Sequence, residues 1–392
     1  MEICIFENKK IVIITYWKTD NNYGTVLQNY SLQVFLQKKG YKTQLIRSDL
    51  FNNPKPRAVV FKEIYLKNGL VKTCDIYVKK VIGKILSKIN KEVENNKLRK
   101  FEIFVEKYLS PTRVYNSIEE LEKDSEEFDL FITGSDQVWN TYGMNSPEME
   151  EALSIYLLDF VKNKKRIACA ASFGNNSIDS FYKEHFFNSL KEFDFLTVRE
   201  QSGVENCKQL GIDNVYLQAD PVFLTLKEDY LNIASFDIIP SQEYVLIYLL
   251  GNETDISIKG LKTFFEKRNL RYIFVTANGI TKSLITPIIY PTINEWLGLI
   301  ARAKYVVTNS FHGTVFSILF NKDFLTILQT GKYEGQNNRV QSLLNQFKLV
   351  DRIFNGNDFC KLIEPIQWES INEKINEIRD SSPFSKYIKE LV

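Results

Sequence analysis

The sequence has few residues of the types that build metal sites and disulfide frameworks. Two histidines and five cysteines occur among 392 residues. The number of cysteines is odd, they lie far apart, and no pair has the spacing of metal ligands; they are Cys4, Cys74, Cys169, Cys207 and Cys360. We therefore expect the reduced, buried thiols of a cytoplasmic protein, without a metal cluster.

Long apolar runs and a strong charge of one sign are also missing. No apolar run approaches the length that crosses a membrane. The first apolar stretch, 11–16, is followed by Trp17 and Lys18 instead of a small-residue cleavage site, so we predict a core strand and not a signal peptide. The formal net charge of +2 at pH 7 gives no reason to expect a nucleic-acid partner.

The length and the order of apolar segments predict two α/β domains. A chain of 392 residues is too long for one ordinary core. It opens with a strand at 11–16, a helix at 25–39 and a strand at 42–47, an order that indicates a parallel sheet. We predict one Rossmann-like domain over residues 1–235 and a second over 236–392, facing across a cleft, with a C-terminal helix that crosses back to the first.

Residues 55–107 form a basic insertion in the first predicted domain. They contain fourteen Lys and Arg against six Asp and Glu, a net charge of +8, and their apolar residues recur at helical spacing. One interpretation is a packed helical subdomain with a solvated lysine face. The other is a surface that meets an anionic membrane or a lipid-phosphate-linked substrate.

Polar residues follow the predicted strands of the first domain at the point where each strand ends. Because the carboxyl ends of parallel strands meet at one edge of a sheet, we expect these residues to line one rim of the cleft. They are Asp136 and Gln137 after 130–133, Ser172 after the strand near 168, Arg199 and Glu200 after the strand near 196, and Asp220 with Pro221 after the strand near 216.

The segment 304–327 places a histidine at such a rim in the second domain. It is predicted to form a buried strand at 305–308, a polar turn, a short helix and a second strand at 324–327. His312 lies in the turn, where free N–H groups and the helix dipole favour an anion. A titratable imidazole beside an anion indicates acid–base chemistry on a negatively charged substrate.

Taken together and in this order, the motifs resemble those of the polysaccharide pyruvyl transferase family. The matching pieces cover most of residues 20–345. They are Asn22-Tyr23-Gly24 with Gln28, 134–140, 171–174, 198–200, Asp220-Pro221, Ser310-Phe311-His312-Gly313 and 337–339.

The resemblance implies a fold like that of the GT-B glycosyltransferases and a ketal-forming transferase activity. Members of the family move the enolpyruvyl carbons of phosphoenolpyruvate onto two hydroxyls of a sugar and release phosphate. Their acceptors are typically glycans of capsules, exopolysaccharides or cell-wall polymers, often still lipid-linked. We therefore expect phosphoenolpyruvate as co-substrate without a further cofactor, the acceptor on residues 1–235, the donor on 236–392, and a cytoplasmic location that includes the inner face of the membrane.

The expected donor residues lie around the histidine. We assign His312 as general acid and base and Arg199 and Arg339 as anion clamps, because arginine pairs bidentately with carboxylates and phosphates. The N–H groups of Gly313 and Thr314 are predicted to hold phosphate, with Asn309 and Ser310 beside them. Several characterised members of the family carry an arginine at the position of Ser310, so either another cation holds the donor or the donor differs.

The expected acceptor residues come from the first domain. Asp136 is assigned a catalytic role toward the sugar hydroxyls, and Gln137 is expected to face the sugar. Trp139 is the candidate stacking platform, and Ser172, Asn22 and Gly24 complete the rim.

Structural roles remain open for these residues: a helix-start role for His312, an ion pair for Arg199, an N-cap for Asp136, a core position for Trp139 and solvation for Arg339. His185 is expected to be a packing or surface histidine. No metal site is predicted, although a Mg²⁺ held on phosphate stays open. Two other functions also stay open, namely a sugar-nucleotide glycosyltransferase of the same fold and a non-catalytic glycan-binding subunit.

Overall fold

The computed structural model describes residues 9–17, 22–49, 98–141, 147–250, 258–276, 288–356 and 359–391. Most of the predicted basic insertion, up to residue 97, lies outside the described residues. So do the predicted contact of that insertion with a membrane and the alternative of a packed subdomain. Within the described residues, none of the helices has the length and apolar character that crossing a membrane requires.

In the described part of the chain, the strands form two separate parallel sheets. The first has seven strands in the order β3-β2-β1-β4-β5-β6-β7, and the second has five in the order β10-β9-β8-β11-β12. The strands are β1 (Lys10–Ile14), β2 (Lys42–Ser48), β3 (Pro111–Tyr115), β4 (Leu130–Thr133), β5 (Lys165–Ala171), β6 (Phe195–Val198), β7 (Val215–Leu217), β8 (Tyr244–Leu249), β9 (Arg271–Thr276), β10 (Ile288–Ile289), β11 (Tyr305–Thr308) and β12 (Asp323–Thr326).

Helices connect these strands and cover both faces of each sheet. Those described are α1 (Tyr23–Lys38), α2 (Phe101–Tyr108), α3 (Ile118–Asp124), α4 (Pro147–Tyr156), α5 (Lys183–Leu190), α6 (Gln201–Gln209), α7 (Lys227–Ile233), α8 (Ile258–Glu266), α9 (Ile293–Arg302), α10 (Phe311–Leu319), α11 (Asn337–Gln346), α12 (Trp368–Ser381) and α13 (Pro383–Glu390). The predicted fold class, α/β with two Rossmann-like domains, is confirmed.

The central strands are apolar along their whole length because they are covered on both faces. All residues of β4 and of β8 are buried, and in β1 only Lys10 is exposed. Such continuous apolar runs are typical of parallel sheets enclosed by helices. The parallel register, for example Ile11 opposite Leu130 and Tyr305 opposite Val245, brings the carboxyl ends of neighbouring strands to the same edge.

One hydrophobic core joins the two domains. Tyr23 at the start of α1 stacks on Trp296 of α9, with ring centroids 5.0 Å apart and an interplanar angle of 6°. Tyr23 also lies edge-on to Tyr248 of β8, with centroids 5.8 Å apart. Since these residues come from both domains, the apolar contact fixes the two carboxyl-end rims against each other.

The C-terminal segment of the chain lies against the first sheet. The N–H of Phe384 in α13 donates to Gln218 Oε1 at 3.2 Å. The ring of Tyr387 stacks on Phe195 of β6, with centroids 4.2 Å apart. The chain therefore crosses between the domains twice, once at residues 221–243 and once after α11.

The connector between the domains is more ordered than its sequence indicates. The sequence of residues 222–242 shows little apolar periodicity. The structure instead has a 3₁₀ turn at Pro221–Leu224 and the helix α7, in which Tyr230 is fully buried. Asp229 accepts a hydrogen bond from the N–H of Leu226 at 3.2 Å, which caps the amino end of α7.

Candidate active site

Asp220 is the centre of a buried polar cluster at the rim of the first sheet. It follows β7 and caps the 3₁₀ turn through a hydrogen bond from Val222 N to Oδ1 at 3.1 Å. Its other oxygen, Oδ2, accepts from Ser135 Oγ at 2.9 Å and from Arg199 Nη1 at 3.0 Å. Burial alone would raise the pKa of Asp220, but His312, Arg199 and the N–H of Val222 hold it well below its ordinary value.

Arg199 lies at the same rim, and two of its guanidinium nitrogen atoms make no hydrogen bond within the described part of the chain. It follows β6, is 2% exposed, and also donates from Nη1 to Ser135 Oγ at 3.2 Å. Its guanidinium carbon lies 4.5 Å from the centre of the Phe311 ring, which is a cation–π contact. Nε and Nη2 have no hydrogen-bond partner. A buried guanidinium with two free donors is suited to a bound carboxylate or phosphate.

His312 brings the second domain into this cluster. It lies in the first turn of α10, after β11, and is 5% exposed. Its Nε2 faces Asp220 Oδ2 at 3.4 Å across the domain boundary. The imidazole therefore lies at a carboxylate of one domain while its backbone belongs to the other.

The close approach of α1 and α10 depends on a glycine. Gly24 is in the first turn of α1, and a β-carbon built there would overlap the His312 ring at Nδ1 and Cγ. Only glycine leaves room for the imidazole at this position. Asn22 caps the same helix, because its Oδ1 accepts from the N–H groups of Gly24 and Thr25 at 3.1 and 3.4 Å.

Asp136 has an unusual backbone conformation. Its φ is +78°, a value that few residues other than glycine adopt. Oδ2 accepts from Thr25 Oγ1 at 2.8 Å, and Oδ1 lies 3.9 Å from Arg199 Nη2. Burial would raise the pKa of Asp136, yet Arg199, His312, Thr25 and Arg339 together lower it. Asp136 therefore stays ionised and accepts hydrogen bonds readily.

Arg339 closes the cluster from the second domain. It lies in the first turn of α11, and its guanidinium carbon is 5.7 Å from the centre of the Phe311 ring. Nη1 and Nη2 lie 3.1 and 3.2 Å from the Gln137 side chain when the amide oxygen faces the guanidinium. Burial and the like charge of Arg199 lower the pKa of Arg339 to about 10. An anion placed between the two arginines would relieve this repulsion.

Glu200 holds the loop that carries Ser172. Its Oε1 accepts from Phe173 N at 2.8 Å and from Ser172 Oγ at 3.1 Å, while Oε2 is buried without a partner. Ser172 is 0% exposed, and its Oγ accepts from Gly174 N at 3.1 Å. The Ser172 hydroxyl is thus engaged within its own loop.

The structure corrects the predicted role of Trp139. The residue is 1% exposed, its Nε1 donates to the Tyr156 carbonyl at 3.2 Å, and its ring packs on Phe173 and Phe186. The chain turns inward after Gln137, so the indole enters the core below the rim. It has no open face for a sugar to stack on.

The structure also corrects the predicted phosphate cradle on α10. Gly313 N donates to Ser310 Oγ at 3.2 Å, and Thr314 N donates to the Ser310 carbonyl at 3.0 Å. Asn309 bonds the backbone of Leu250 through both side-chain atoms, at 2.6 and 2.9 Å. These groups already have hydrogen-bond partners within the turn and the neighbouring strand end, so they have a structural role at the rim. Nε and Nη2 of Arg199, in contrast, have no hydrogen-bond partner among the described residues.

The sequence argument did not assign Asp220, Ser135 or Thr25 to the site. Asp220 appears in the sequence analysis only as part of an Asp-Pro pair at a strand end. Such a pair does not show whether the side chain points into the cleft. The available signal was its position on the same predicted rim as Asp136 and Arg199. Among the described residues, no group of three His, Cys, Asp or Glu side chains could hold a metal ion.

Comparison with known families identifies the family of the chain. The sequence profile of polysaccharide pyruvyl transferases matches residues 22–329, which include Gly24, Asp136, Arg199, Asp220 and His312. The chain belongs to the polysaccharide pyruvyl transferase family, and it is accordingly a transferase. A comparison with curated proteins found no match to the chain.

Solved structures of UDP-GlcNAc 2-epimerases and of a glycosyltransferase resemble the chain over nearly its whole length. UDP-GlcNAc 2-epimerase from Methanocaldococcus jannaschii is 11% identical, with a TM-score of 0.49 and 98% and 99% of the two chains covered. The epimerase from Neisseria meningitidis is 11% identical, with a TM-score of 0.45 and 98% of each chain covered. The glycosyltransferase SnogD from Streptomyces nogalater is 8% identical, with a TM-score of 0.43 and 98% and 100% covered. Nothing about substrates follows from likeness at this level.

Proposed function

We propose that this protein transfers the pyruvyl group of phosphoenolpyruvate onto two hydroxyls of a sugar, forming a pyruvate ketal and releasing phosphate. The observation that carries the proposal is the cluster at the domain boundary, where His312 faces Asp220 at 3.4 Å beside two buried arginines. A small polyanion with a carbon that must be protonated matches this combination of cations and an imidazole.

The two arginines of the cluster would hold a charged group of the donor. Arg199 offers Nε and Nη2, which are buried and unpartnered, and Arg339 lies on the other side of the cleft. Hydrogen bonds from a guanidinium to a carboxylate or phosphate are charge-assisted and shorter than neutral ones. Because the site is buried, these bonds also act with little screening by water.

His312 would act as the proton donor. The imidazolium gives a proton to the methylene carbon of the enol phosphate, which becomes the methyl group of the ketal. The first sugar hydroxyl bonds to the neighbouring carbon, and the second replaces phosphate there. The two hydroxyls lose two protons; one restores the imidazolium, and the other leaves with phosphate. Proton transfer of this kind contributes about 10²–10⁴-fold in rate.

Asp136 would orient the acceptor hydroxyls. Since its pKa is lowered, it is a weak base but a strong hydrogen-bond acceptor. Its Oδ2 already accepts from Thr25 Oγ1 and its Oδ1 from the N–H of Gln137 at 2.9 Å, so a sugar hydroxyl would use the second acceptor site of one of these oxygens. This role places the acceptor on the first domain and the donor against the second.

The acceptor we propose is a sugar in a cell-surface polysaccharide or its lipid-linked precursor, as in a capsule or exopolysaccharide. The transfer reaction would take place in the cytoplasm, where the basic segment 55–107 would contact the inner face of the membrane. A charge of +8 in that segment supports attraction to anionic lipid or lipid phosphate.

Calorimetric titration with phosphoenolpyruvate, run beside UDP- and GDP-sugars, tests the proposal. Binding of phosphoenolpyruvate, followed by phosphate release when an acceptor glycan is added, is the expected result. Tight binding of a sugar nucleotide with no affinity for phosphoenolpyruvate would instead identify a glycosyltransferase. Glycan binding with no affinity for either donor would identify a non-catalytic subunit.

A further inference from the structure

Arg99 is a buried arginine at the domain boundary whose charge no acidic side chain of the described residues neutralises. It precedes α2 and is 0% exposed. Nη1 donates to Tyr23 Oη at 3.0 Å, and an Nη2 hydrogen bond reaches the Thr276 carbonyl. Both acceptors are neutral, and the described part of the chain forms no ion pair with Arg99.

An unpaired charge at this depth has a large desolvation cost. A guanidinium cannot lose its proton at ordinary pH, so deprotonation does not remove the cost. The neutral acceptors of Nη1 and Nη2 leave the net charge in place. A ligand that brings a negative charge to Arg99 would remove the imbalance.

Two further polar atoms lie beside Arg99 without a hydrogen-bond partner. Tyr248 Oη and Thr276 Oγ1 are buried and unpartnered, as is Nε of Arg99 itself. The ring of Tyr23 joins them, since it lies 5.4 Å from the Arg99 guanidinium carbon and 5.8 Å from the Tyr248 ring. Native proteins leave few buried polar atoms unsatisfied, so three together in one place point to a missing partner.

The position of these atoms in the second sheet is one where ligands bind. Tyr248 is at the carboxyl end of β8 and Thr276 ends β9. In the strand order β10-β9-β8-β11-β12, successive strands are added on one side of β8 up to β10, and then on its other side from β11 to β12. This reversal creates a crevice at the strand ends, and ligands of open α/β sheets lie there.

The chemistry of the three atoms is that of an oxyanion site. Burial raises the pKa of Tyr248 well above its ordinary value, while Arg99 and Ser310 act in the opposite direction. The phenol therefore remains a neutral donor throughout the physiological range. Arg99 supplies a positive charge and an unpartnered Nε–H, and the Thr276 hydroxyl supplies another donor.

We infer that Arg99, Tyr248 and Thr276 form an oxyanion-binding site that holds one anionic group of the donor, a carboxylate or a phosphate. The inference rests on the proposed function only in taking that group to belong to the donor. It gives Arg99 a binding role that reaches from the first domain into the second.

Calorimetry on the full-length protein with inorganic phosphate, pyruvate, phosphoenolpyruvate and UDP tests this site. Tyr248→Phe removes one hydroxyl and keeps the ring, so its thermal midpoint should stay within about 2 °C of wild type while affinity falls about tenfold. Arg99→Gln should weaken binding by about 100-fold, and the exposed control Arg302→Gln should not change it. If the variants lose affinity for phosphate but not for pyruvate, the group held by the site is a phosphate. If they lose affinity for pyruvate but not for phosphate, it is a carboxylate.

The outcomes separate this inference from the proposed function. Binding of phosphate and UDP that depends on Tyr248 and Arg99, without any binding of phosphoenolpyruvate, would support the site and remove the proposed donor. Unchanged affinity of Tyr248→Phe and Arg99→Gln for phosphoenolpyruvate would leave the donor in place and overturn the site. A lowered thermal midpoint of Arg99→Gln with unchanged affinities would show that the arginine is only structural.

Discussion

Gly24 and His312 approach each other so closely that a β-carbon on Gly24 would overlap the imidazole at Nδ1. Gly24 begins α1 in the first domain, and His312 begins α10 in the second. The glycine therefore determines where the imidazole lies relative to Asp220. It acts by leaving space and makes no chemical contribution of its own.

Gly24→Ala should reduce turnover by displacing His312. A catalytic group moved by about 1 Å loses roughly 100-fold in rate. We expect kcat for phosphate release to fall by that order, while far-ultraviolet circular dichroism and the affinity for phosphoenolpyruvate change little. Full turnover by Gly24→Ala would show that the imidazole position is unimportant.

His312→Gln should abolish most phosphate release from phosphoenolpyruvate and acceptor. Because the proposed proton donor is removed, the rate should fall about 10²–10⁴-fold. His185→Gln is a matched control, since this second histidine is bonded to Asp159 Oδ2 at 2.7 Å and lies outside the cluster. Equal loss in both variants would contradict a catalytic role for His312.

Asp220→Asn should destabilise the fold in a way that depends on pH. The pKa of Asp220 is depressed in the folded protein, so its ionised form is the stabilising one. The contribution is complete above the unfolded carboxyl value of about 4 and is lost as the pH falls toward the folded value. At pH 7 the variant removes the closer of the two carboxylates that pair with Arg199, at a cost of roughly 3–5 kcal/mol.

Urea unfolding of wild type and Asp220→Asn between pH 3 and pH 8 measures this difference. The gap in unfolding free energy should be constant from about pH 5.5 upward and should shrink below about pH 4. A gap that grows as the pH falls would have the wrong sign for an ionised Asp220.

Arg339→Gln should weaken donor binding without reducing stability. Its guanidinium is buried and is repelled by Arg199, so removing the charge relieves strain in the free protein. A hydrogen bond to a charged group is worth about 1.5–3 kcal/mol, which corresponds to roughly 10- to 150-fold in the dissociation constant for phosphoenolpyruvate. Arg302→Gln, an exposed arginine lying over the Phe236 ring, provides the control. A large fall in the thermal midpoint of Arg339→Gln with unchanged affinity would contradict the binding role.

Trp139→Phe should affect stability and not recognition of the glycan. The variant loses the hydrogen bond from Nε1 to the Tyr156 carbonyl and part of a packed core. We expect a loss of roughly 1–3 kcal/mol in unfolding free energy and an unchanged KM for the acceptor. A raised KM at full stability would restore the stacking role that the structure removes.

The strands that the sequence predicts best are those with unambiguous apolar runs. The strands at 130–133 and 305–308 match β4 and β11 residue for residue, because both are apolar and end at polar turns. Helix α7 was missed because it is short and buries only Tyr230 fully, so it has no periodic apolar face. Its ends are fixed by capping contacts and by packing on α9, which a local pattern does not contain.

At the site, strand ends were predictable and side-chain directions were not. Parallel pairing brings the residues after β4, β6 and β7 to one edge, so the proximity of Asp136, Arg199 and Asp220 follows from topology. Whether Trp139 points to the cleft or the core depends on one backbone turn. The burial of Arg99 depends on contacts with Tyr23 and Thr276, which are distant in sequence, so no local pattern indicates it.

The two crossings of the chain between the domains limit how the cleft can open. A domain connected to its neighbour by two chain segments rotates most easily about the axis that joins these two segments. Such a turn would carry α10 away from the first sheet and separate His312 from Asp220 in the same movement. The imidazole and the carboxylate therefore lie side by side only while the cleft is closed.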